Sequence, residues 1–219
     1  MREFCELETD SLAVFLIWNR RAERREVVCG IPDEHVCRGK VPMTKEEVRS
    51  ISISKLRLWK DAVIYDVGAG TGSVAVEMAL QAPDGVVYAV EKNEEAVALL
   101  GENRVAFAVD HLKIVHGKAP EALENLPAPT HVFIGGSSGN LKEILDIVRK
   151  KNKAVRVVIN AITLETVTEA LTYLKEQEIS GAEVVSVQTA RAREVGRYHM
   201  MTGQNPVYVI SFGGERQER

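Results

Sequence analysis

The strongest constraint on the fold is an apolar run that leads directly into a glycine-rich turn. Residues 62–67 read Ala-Val-Ile-Tyr-Asp-Val, and residues 68–73 read Gly-Ala-Gly-Thr-Gly-Ser. The first part is typical of a buried strand, while glycines allow a turn to adopt positive φ and to bring backbone amides close to a ligand. A helix that begins near Gly72 would direct its unpaired N–H groups at the same point. The pattern therefore predicts a strand, a ligand-binding turn and a helix.

The spacing of the glycines separates two classes of cofactor. Dinucleotide oxidoreductases use G-x-G-x-x-G, whereas here the third glycine is Gly72 and the sixth position is Ser73. The next apolar run ends in Glu91, and an acid at the tip of the second strand, about 20 residues on, can accept hydrogen bonds from both ribose hydroxyls. Together these features favour S-adenosyl-L-methionine over a nicotinamide cofactor. The alternative is an ordinary strand–helix turn followed by a solvated glutamate.

Composition bounds the class of protein. The 219 residues are 45% hydrophobic, which is enough to build the core of one catalytic domain. A net charge of −3 and a pI near 6.0 argue against a general nucleic-acid binder. The longest apolar run, residues 12–18, is too short to cross a bilayer and reads as a strand. We therefore expect neither nucleic acid nor membrane as a partner.

The cysteines and histidines indicate no metal site and no catalytic triad. Cys5, Cys29 and Cys37 all fall near the N-terminus without metal-type spacing, and an odd number does not suggest a disulfide framework. The five histidines are scattered along the chain. A reducing cytoplasm is the simplest location for such a chain.

The chain divides into an N-terminal arm and a larger domain. Residues 1–29 combine an acidic start, one apolar strand and an arginine-rich segment, and residues 30–219 form the domain. Thr44-Lys45-Glu46-Glu47 reads as a capping box that starts a helix through about Leu58.

Short β-branched runs then alternate with helical patterns. Strands are predicted at 62–67, 86–91, 113–116, 130–134 and 154–160, with helices beginning near Gly72, Asn93, Ala119, Ser138 and Thr163. Five such units predict a parallel sheet with helices on both faces. Two last strands, 183–190 and 207–212, have no helix between them and should pair antiparallel at one edge. The predicted fold is α/β and Rossmann-like, with a mostly parallel seven-stranded sheet and an antiparallel C-terminal pair, as in class I S-adenosylmethionine-dependent methyltransferases.

Ligands of such sheets bind beyond the carboxyl ends of the strands. After the third strand, the turn 117–120 could hold the edge of a base. After the fourth strand, residues 133–139 read Phe-Ile-Gly-Gly-Ser-Ser-Gly, which offers no obvious base and leaves room for a bulky acceptor. A carbon that is already nucleophilic needs only alignment with the methyl group and sulfur. The alternative is a flexible loop before a helix capped by Ser137 or Ser138.

A basic segment links the last two strands. Arg191 and Arg193 would share one side of an extended segment, and guanidinium groups bind carboxylates bidentately. A polycarboxylate substrate is one interpretation. Solvated basic residues in a surface loop are the other.

Several of these segments together closely resemble one family, the decarboxylating cobalt-precorrin-6B C15-methyltransferases of corrin-ring synthesis. The resemblance runs from about Gly30 to Phe212. It is carried by residues 30–34, the P-x-T-x-x-E-V-R segment at 42–49, the turn at 66–72, the I-G-G-S loop at 134–137 and the A-R-x-R segment at 190–193. It implies transfer of a methyl group to the C15 meso carbon, loss of carbon dioxide from the C12 acetate side chain, and a homotetramer.

The resemblance also implies roles for individual residues. The implied cofactor contacts are Thr44, Asp66, Gly68, Ala69, Gly70, Thr71, Gly72, Glu91 in place of the more usual aspartate, and Ala119. From the loops themselves, the candidate catalytic residues are Gly135, Ser137, Arg191 and Arg193, and no metal is expected. Lys118 departs from the family by replacing an acid. The arm resembles the tail of the C5-methylating partner that is fused upstream in some relatives, but it is too short to add a second activity.

Three other functions stay open at this point. The chain could be a methyltransferase for a protein carboxylate or RNA, a catalytically silent cofactor-binding scaffold, or a nicotinamide enzyme.

Overall fold

The computed structural model describes residues 29–214. The strand predicted at 12–18, and the arm up to residue 28, lie outside the described residues. The domain is built on a seven-stranded sheet in the order β3-β2-β1-β4-β5-β9-β6. Its strands are β1 (Val63–Val67), β2 (Val86–Glu91), β3 (Leu112–His116), β4 (His131–Ile134), β5 (Arg156–Ala161), β6 (Glu183–Val187) and β9 (Val207–Phe212). Strands β1 to β5 are parallel, and β9 is antiparallel to both β5 and β6. The predicted α/β fold and its terminal antiparallel pair are confirmed.

Helices cover both faces of the sheet. They are α1 (Glu46–Leu56), α2 (Ser73–Gln81), α3 (Glu94–Ala106), α4 (Leu141–Lys151) and α5 (Leu164–Glu176). Alternation along each strand divides the core: Ile64 packs with α1, α2 and α3 on one face, whereas Tyr65 packs with α4 and α5 on the other. No helix within residues 29–214 is long and apolar enough to cross a membrane.

The strand register brings the ends of four strands to one edge of the sheet. Val67 pairs with Val90 on one side and Ile134 on the other, and Ile134 pairs with Ile159. The next residues along the chain are therefore neighbours at that edge. They are Gly68, Glu91, Gly135 and Asn160.

The helix predicted from Ala119 is wrong. The segment forms only a short 3-10 helix, Glu121–Leu123. Pro127 and Pro129 follow closely, and a proline neither donates a backbone hydrogen bond nor allows the residue before it to stay helical. The sheet is therefore built with one fewer helical crossover than expected.

The segment between the last two sheet strands is not a single extended link. It contains a separate antiparallel hairpin of β7 (Ala190–Val195) and β8 (Tyr198–Gly203). The two-residue turn holds Gly196 at φ 61°, as tight hairpin turns require positive φ. The prediction missed this hairpin because the Gly-Arg turn lies within a strongly polar run.

Two predicted helix caps are also wrong. Helix α1 has Lys45 as N-cap with no side-chain hydrogen bond, and the Glu46 amide instead donates to Asp33 Oδ1 at 3.0 Å. Helix α4 begins after Asn140 rather than at Ser137 or Ser138, again without a side-chain cap. The helix starts predicted at Asn93 and Thr163 are confirmed, because both side chains accept a backbone N–H.

Candidate cofactor and acceptor site

A single cavity of about 620 Å³ runs along the carboxyl edge of the sheet. It extends from the ends of β2 and β3, across the ends of β1 and β4, to the end of β5 and the start of β9. Of the predicted site residues, it brings together Thr44, Gly68, Ala69, Gly70, Thr71, Glu91, Ala119, Gly135 and Ser137. Asp66, Gly72, Arg191 and Arg193 are not among the residues that line it.

The glycine turn depends on its glycines for two physical reasons. Gly68, Gly70 and Gly72 all have positive φ, at 75°, 56° and 79°, which side chains rarely adopt. A Cβ on Gly68 would lie 2.6 Å from the Gly136 carbonyl oxygen, and one on Gly72 would lie 2.0 Å from Leu100 Cδ1. The turn therefore packs directly against the loop after β4 and against α3.

Glu91 organises the backbone on the β2 side of the cavity. Its Oε2 accepts the Gly70 amide at 2.8 Å, and its Oε1 accepts the amides of Lys92 at 2.8 Å and Asn93 at 2.9 Å. Each carboxylate oxygen has two lone pairs, so Oε2 retains capacity for a further donor. The carboxylate lines the cavity, where it can accept hydrogen bonds from the hydroxyls of a ribose.

Asp66 lies beneath the turn and is fully buried. Neither carboxylate oxygen has a hydrogen-bond partner of normal geometry among the described residues. Burial, together with the nearby Glu91 carboxylate, raises the pKa of Asp66 to about 8, and the backbone amide of Ala75 offsets this only in part. This position suits a group that supports the turn from below rather than one that touches the ligand.

A buried network of charged groups holds the segment around Thr44 over the cavity. Arg49 is fully buried and donates to Glu77 Oε1 at 2.5 Å, to Asp33 Oδ1 at 3.3 Å and to the Thr44 carbonyl oxygen at 2.7 Å. Glu77 also accepts the amides of Gly30 and Ile31 at 3.1 and 2.9 Å. The pairing of every charge in this network makes its burial tolerable.

Asn103 fixes the turn from the other side. Its Nδ2 donates to the Thr71 carbonyl at 2.9 Å and to the Cys37 carbonyl at 2.7 Å, and its Oδ1 accepts the Cys37 amide at 2.8 Å. Asn103 and Glu77 escaped the sequence reasoning because each lies on a helix far along the chain from its partner. Of these residues, only Arg49 carried a sequence signal, because it belongs to the P-x-T-x-x-E-V-R segment.

The loop after β4 forms the floor of the cavity between the glycine turn and the end of β5. The amides of Gly135 and Gly136 both donate to the Val67 carbonyl, at 3.0 and 3.3 Å, so this loop and the glycine turn are joined through backbone. Ser137 and Ser138 follow on the cavity wall, and Lys92 Nζ donates to Ser138 Oγ at 2.9 Å. The floor is therefore made of small residues with a cationic side chain beside it.

The turn after β3 forms the end of the cavity beyond Glu91. The Gly117 amide donates to the Glu91 carbonyl at 2.9 Å, and the Ala119 carbonyl accepts from Asn140 Nδ2 at 3.2 Å. Lys118 is exposed and lines the cavity. The turn thus presents mainly backbone groups to a ligand.

Arg191 and Arg193, which were predicted to act together, have different surroundings in the structure. Arg191 binds Glu47 through two hydrogen bonds, Nε to Oε1 at 2.8 Å and Nη2 to Oε2 at 2.9 Å, and its Nη1 lies 3.4 Å from Asp33 Oδ2. This pairing holds the pKa of Glu47 below its usual value. Arg193 is exposed on the same strand. Arg191 therefore already has a carboxylate partner within the chain, and a substrate-binding role for either arginine stays a prediction.

The described residues contain no cluster of three or more His, Cys, Asp or Glu side chains that could hold a metal ion. Cys29 and Cys37 are free and exposed.

Comparison with known proteins agrees with this architecture. The family model of the precorrin methyltransferase domain matches residues 36–212. A protein of Pyrobaculum calidifontis named probable cobalt-precorrin-6B C(15)-methyltransferase (decarboxylating) is 44% identical over 185 residues, which cover 83% of this chain and 94% of the relative.

Two crystal structures share the fold at high sequence identity. Precorrin-6y C5,15-methyltransferase from Geobacter metallireducens superposes with a TM-score of 0.81 at 38% identity and covers 87% of this chain and 100% of that one. Precorrin 8W decarboxylase from Methanobacterium thermoautotrophicum gives a TM-score of 0.77 at 34% identity, with 84% and 99% covered. The fold is that of class I S-adenosylmethionine-dependent methyltransferases, and the chain is an enzyme that belongs to the precorrin methyltransferase domain family, among the decarboxylating cobalt-precorrin-6B C15-methyltransferases.

Proposed function

We propose that this enzyme transfers the methyl group of S-adenosyl-L-methionine to the C15 meso carbon of cobalt-precorrin-6B or its cobalt-free form, and releases carbon dioxide from the C12 acetate side chain, in cobalamin biosynthesis. One observation carries the proposal: the cavity continues from the Glu91 side past the glycine turn to a floor of small residues. The first half would hold the nucleoside of the cofactor, and the second would receive the macrocycle. Relatives named as probable cobalt-precorrin-6B C(15)-methyltransferases align with the chain over nearly their whole length.

The cofactor half is assigned by its donors and acceptors. Glu91 would accept the ribose hydroxyls, the turn containing Gly68, Ala69 and Gly70 would approach the methionine part through backbone, and Ala119 would lie beside the adenine. Thr71 also lines this wall, and its buried Oγ1 has no hydrogen-bond partner among the described residues. Thr44 would cover the ligand, held there by Arg49.

The acceptor half favours carbon methylation. Gly135 and Ser137 lie where the methyl group would be transferred. The lining residues beyond them include no described acid, histidine or cysteine. A conjugated macrocycle needs no protein base to expose a nucleophilic carbon and can itself receive the electron pair left by the departing carbon dioxide. The protein's task is then to align carbon, methyl and sulfur and to exclude water.

Carboxylates of the macrocycle would meet cations at the rim. Lys40, Lys92 and Lys118 are exposed side chains that line this cavity. Ammonium groups bind carboxylates as point charges and adapt to several positions. We propose that Lys92, whose Nζ contacts Ser138 Oγ in the loop after β4, recognises the acetate and propionate groups, with Arg193 on β7 as a further candidate.

We further propose that the enzyme is a homotetramer in the cytoplasm. The hairpin supports assembly because Val195, Tyr198, Met200 and Met201 are large apolar side chains exposed on it, and such patches mark protein interfaces. The free, exposed Cys29 and Cys37 are consistent with a reducing compartment. Sedimentation of the purified protein tests the assembly.

The function is tested by mass spectrometry of a complete reaction. Purified enzyme, S-adenosyl-L-methionine and cobalt-precorrin-6B are expected to give a product that has gained one methyl group and lost one carbon dioxide. Methylation of added protein or RNA with no change in the macrocycle would overturn the proposal.

A further inference from the structure

Asn160 is the one polar side chain of β5 that lines the cavity. It is the penultimate residue of the strand. Its Oδ1 lies 2.9 Å from Ser52 Oγ on α1. Its Nδ2 is shielded from solvent and has no hydrogen-bond partner among the residues that the structure describes. The side chain thus presents an unpaired donor at a ligand cavity.

Ser52 fixes the orientation of this amide. Ser52 is fully buried, and its hydroxyl also lies 2.8 Å from the Val48 carbonyl. The hydroxyl has one proton, which it gives either to that carbonyl or to Asn160 Oδ1, and the 2.9 Å contact keeps the amide oxygen beside α1. The Nδ2 group then lies on the side of the amide away from Ser52, without a partner among the described residues. Buried donors without a partner are rare in native proteins because they lose their hydrogen bonds to water.

Asn160 lies on the acceptor side of the sheet edge. Strand β4 separates β5 from β1, so the loop at Gly135 lies between Asn160 and the glycine turn. On its other side Asn160 pairs with Val209 of β9, and the nearby wall consists of Ile162, Gln204 and Val207. The unpaired donor therefore belongs to the β5 end of the cavity, away from Glu91.

We propose that Asn160 Nδ2 donates a hydrogen bond to a side-chain carboxylate of the acceptor, with Ser52 as the positioning residue that aims it. The inference rests on the proposed function for the identity of the acceptor. The methionine carboxylate of the cofactor offers the same chemistry, so the experiment must separate the two sources.

Four variants test the assignment: Asn160→Ala, Asn160→Asp, Ser52→Ala and, as control, Asn152→Ala. Asn152 also hydrogen bonds through its side chain, to Pro129 and Ala154, but at the opposite edge of the sheet. We measure KM and kcat for cobalt-precorrin-6B, the affinity for S-adenosylhomocysteine by calorimetry, and the binding of a porphyrin octacarboxylate by fluorescence.

The expected pattern distinguishes a donor to a carboxylate from a structural residue. Asn160→Ala raises the acceptor KM about tenfold, and Asn160→Asp raises it further because a carboxylate then faces a carboxylate. Ser52→Ala raises it less, about threefold, with kcat preserved. Affinity for S-adenosylhomocysteine stays within about twofold in all four variants, and the control changes neither constant.

Three results would overturn the proposal. An acceptor KM for Asn160→Asp that is equal to or lower than that of Asn160→Ala would mean that no donor is needed. A parallel loss of S-adenosylhomocysteine affinity would assign Nδ2 to the cofactor. If Asn160→Ala has the wild-type acceptor KM and normal turnover, the inference about Asn160 is wrong and the proposed function stands. If the wild-type enzyme does not turn over cobalt-precorrin-6B, the proposed function fails, and the porphyrin titration decides the inference alone.

Discussion

Arg191 on β7 and Glu47 in the first turn of α1, 144 positions apart in the chain, form a two-point guanidinium–carboxylate pair. The pair joins the hairpin to the helix whose Arg49 holds the Thr44 carbonyl over the cavity. The hairpin and the segment around Thr44 are therefore connected through α1.

We expect Arg191→Ala to lower the free energy of unfolding by about 1 kcal/mol, since both side chains are partly exposed and solvent weakens their attraction. The pKa of Glu47 is lowered from 4.5, so the pair stabilises the fold above that pH and the contribution is lost as pH falls through the lowered pKa. A double-mutant cycle with Glu47→Gln in urea, at neutral and acidic pH, measures this coupling. Arg193→Ala is the control. An unchanged stability in Arg191→Ala with weaker tetrapyrrole binding would instead support the predicted substrate contact.

Glu91 is expected to determine cofactor affinity. Glu91→Gln should weaken S-adenosylhomocysteine binding by about 10- to 100-fold, because hydrogen bonds to a charged acceptor are worth about 1.5–3 kcal/mol. Calorimetric titration measures this loss. Glu94→Gln, at an exposed acid three residues along that does not line the cavity, should leave the affinity unchanged. Wild-type affinity in Glu91→Gln would remove the ribose assignment.

Gly68→Ala should impair both folding and binding. Its φ of 75° disfavours a side chain, and the new Cβ would lie 2.6 Å from the Gly136 carbonyl oxygen. We expect a loss of at least about 1 kcal/mol in the free energy of unfolding. Gly101→Ala, in α3 with its nearest neighbour atom 3.9 Å away, should instead gain about 0.5–1 kcal/mol. Equal effects of the two substitutions would show that the close approach does not constrain the turn.

Asp66 should make stability depend on pH in the opposite direction from Glu47. Its pKa is raised to about 8, so the folded state keeps a proton that the unfolded chain releases above about pH 4. As the pH rises from about 4 to about 8, the contribution of this group to the free energy of unfolding therefore decreases, by up to about 1.4 kcal/mol per pH unit. Asp66→Asn should flatten that slope in urea titrations from pH 5 to 8. The exposed Asp110→Asn should retain it.

Arg49→Met should be the most damaging of these substitutions. It leaves Glu77, which is 1% exposed, without its cation, and breaking a buried pair costs about 3–5 kcal/mol. Urea unfolding measures the loss, and the double variant Arg49→Met/Glu77→Gln should recover part of it. If the double variant is no more stable than the single one, the burial of an unpaired carboxylate is not the cause.

Local pattern predicted most of the sheet because each strand is a short β-branched run bounded by turn residues. It also located the glycine turn and Glu91, whose roles depend on strand ends that the parallel register brings together. It failed where long-range contacts decide the structure. Asp33 replaces the predicted cap of α1 from 13 positions away. The Arg49 and Asn103 contacts likewise join segments whose proximity no local periodicity encodes.

The contact between Gly68 and Gly136 also bears on redesign of the enzyme for other acceptors. The glycine turn is held by Glu91 and Asn103, whereas the space around the missing Cβ atom of Gly136 is open. Libraries that vary residues 137 and 162, which line the cavity, would therefore reshape the proposed acceptor half without touching the Glu91 side. The backbone at Gly68 and Gly136 is the exception, because a change there alters both halves at once.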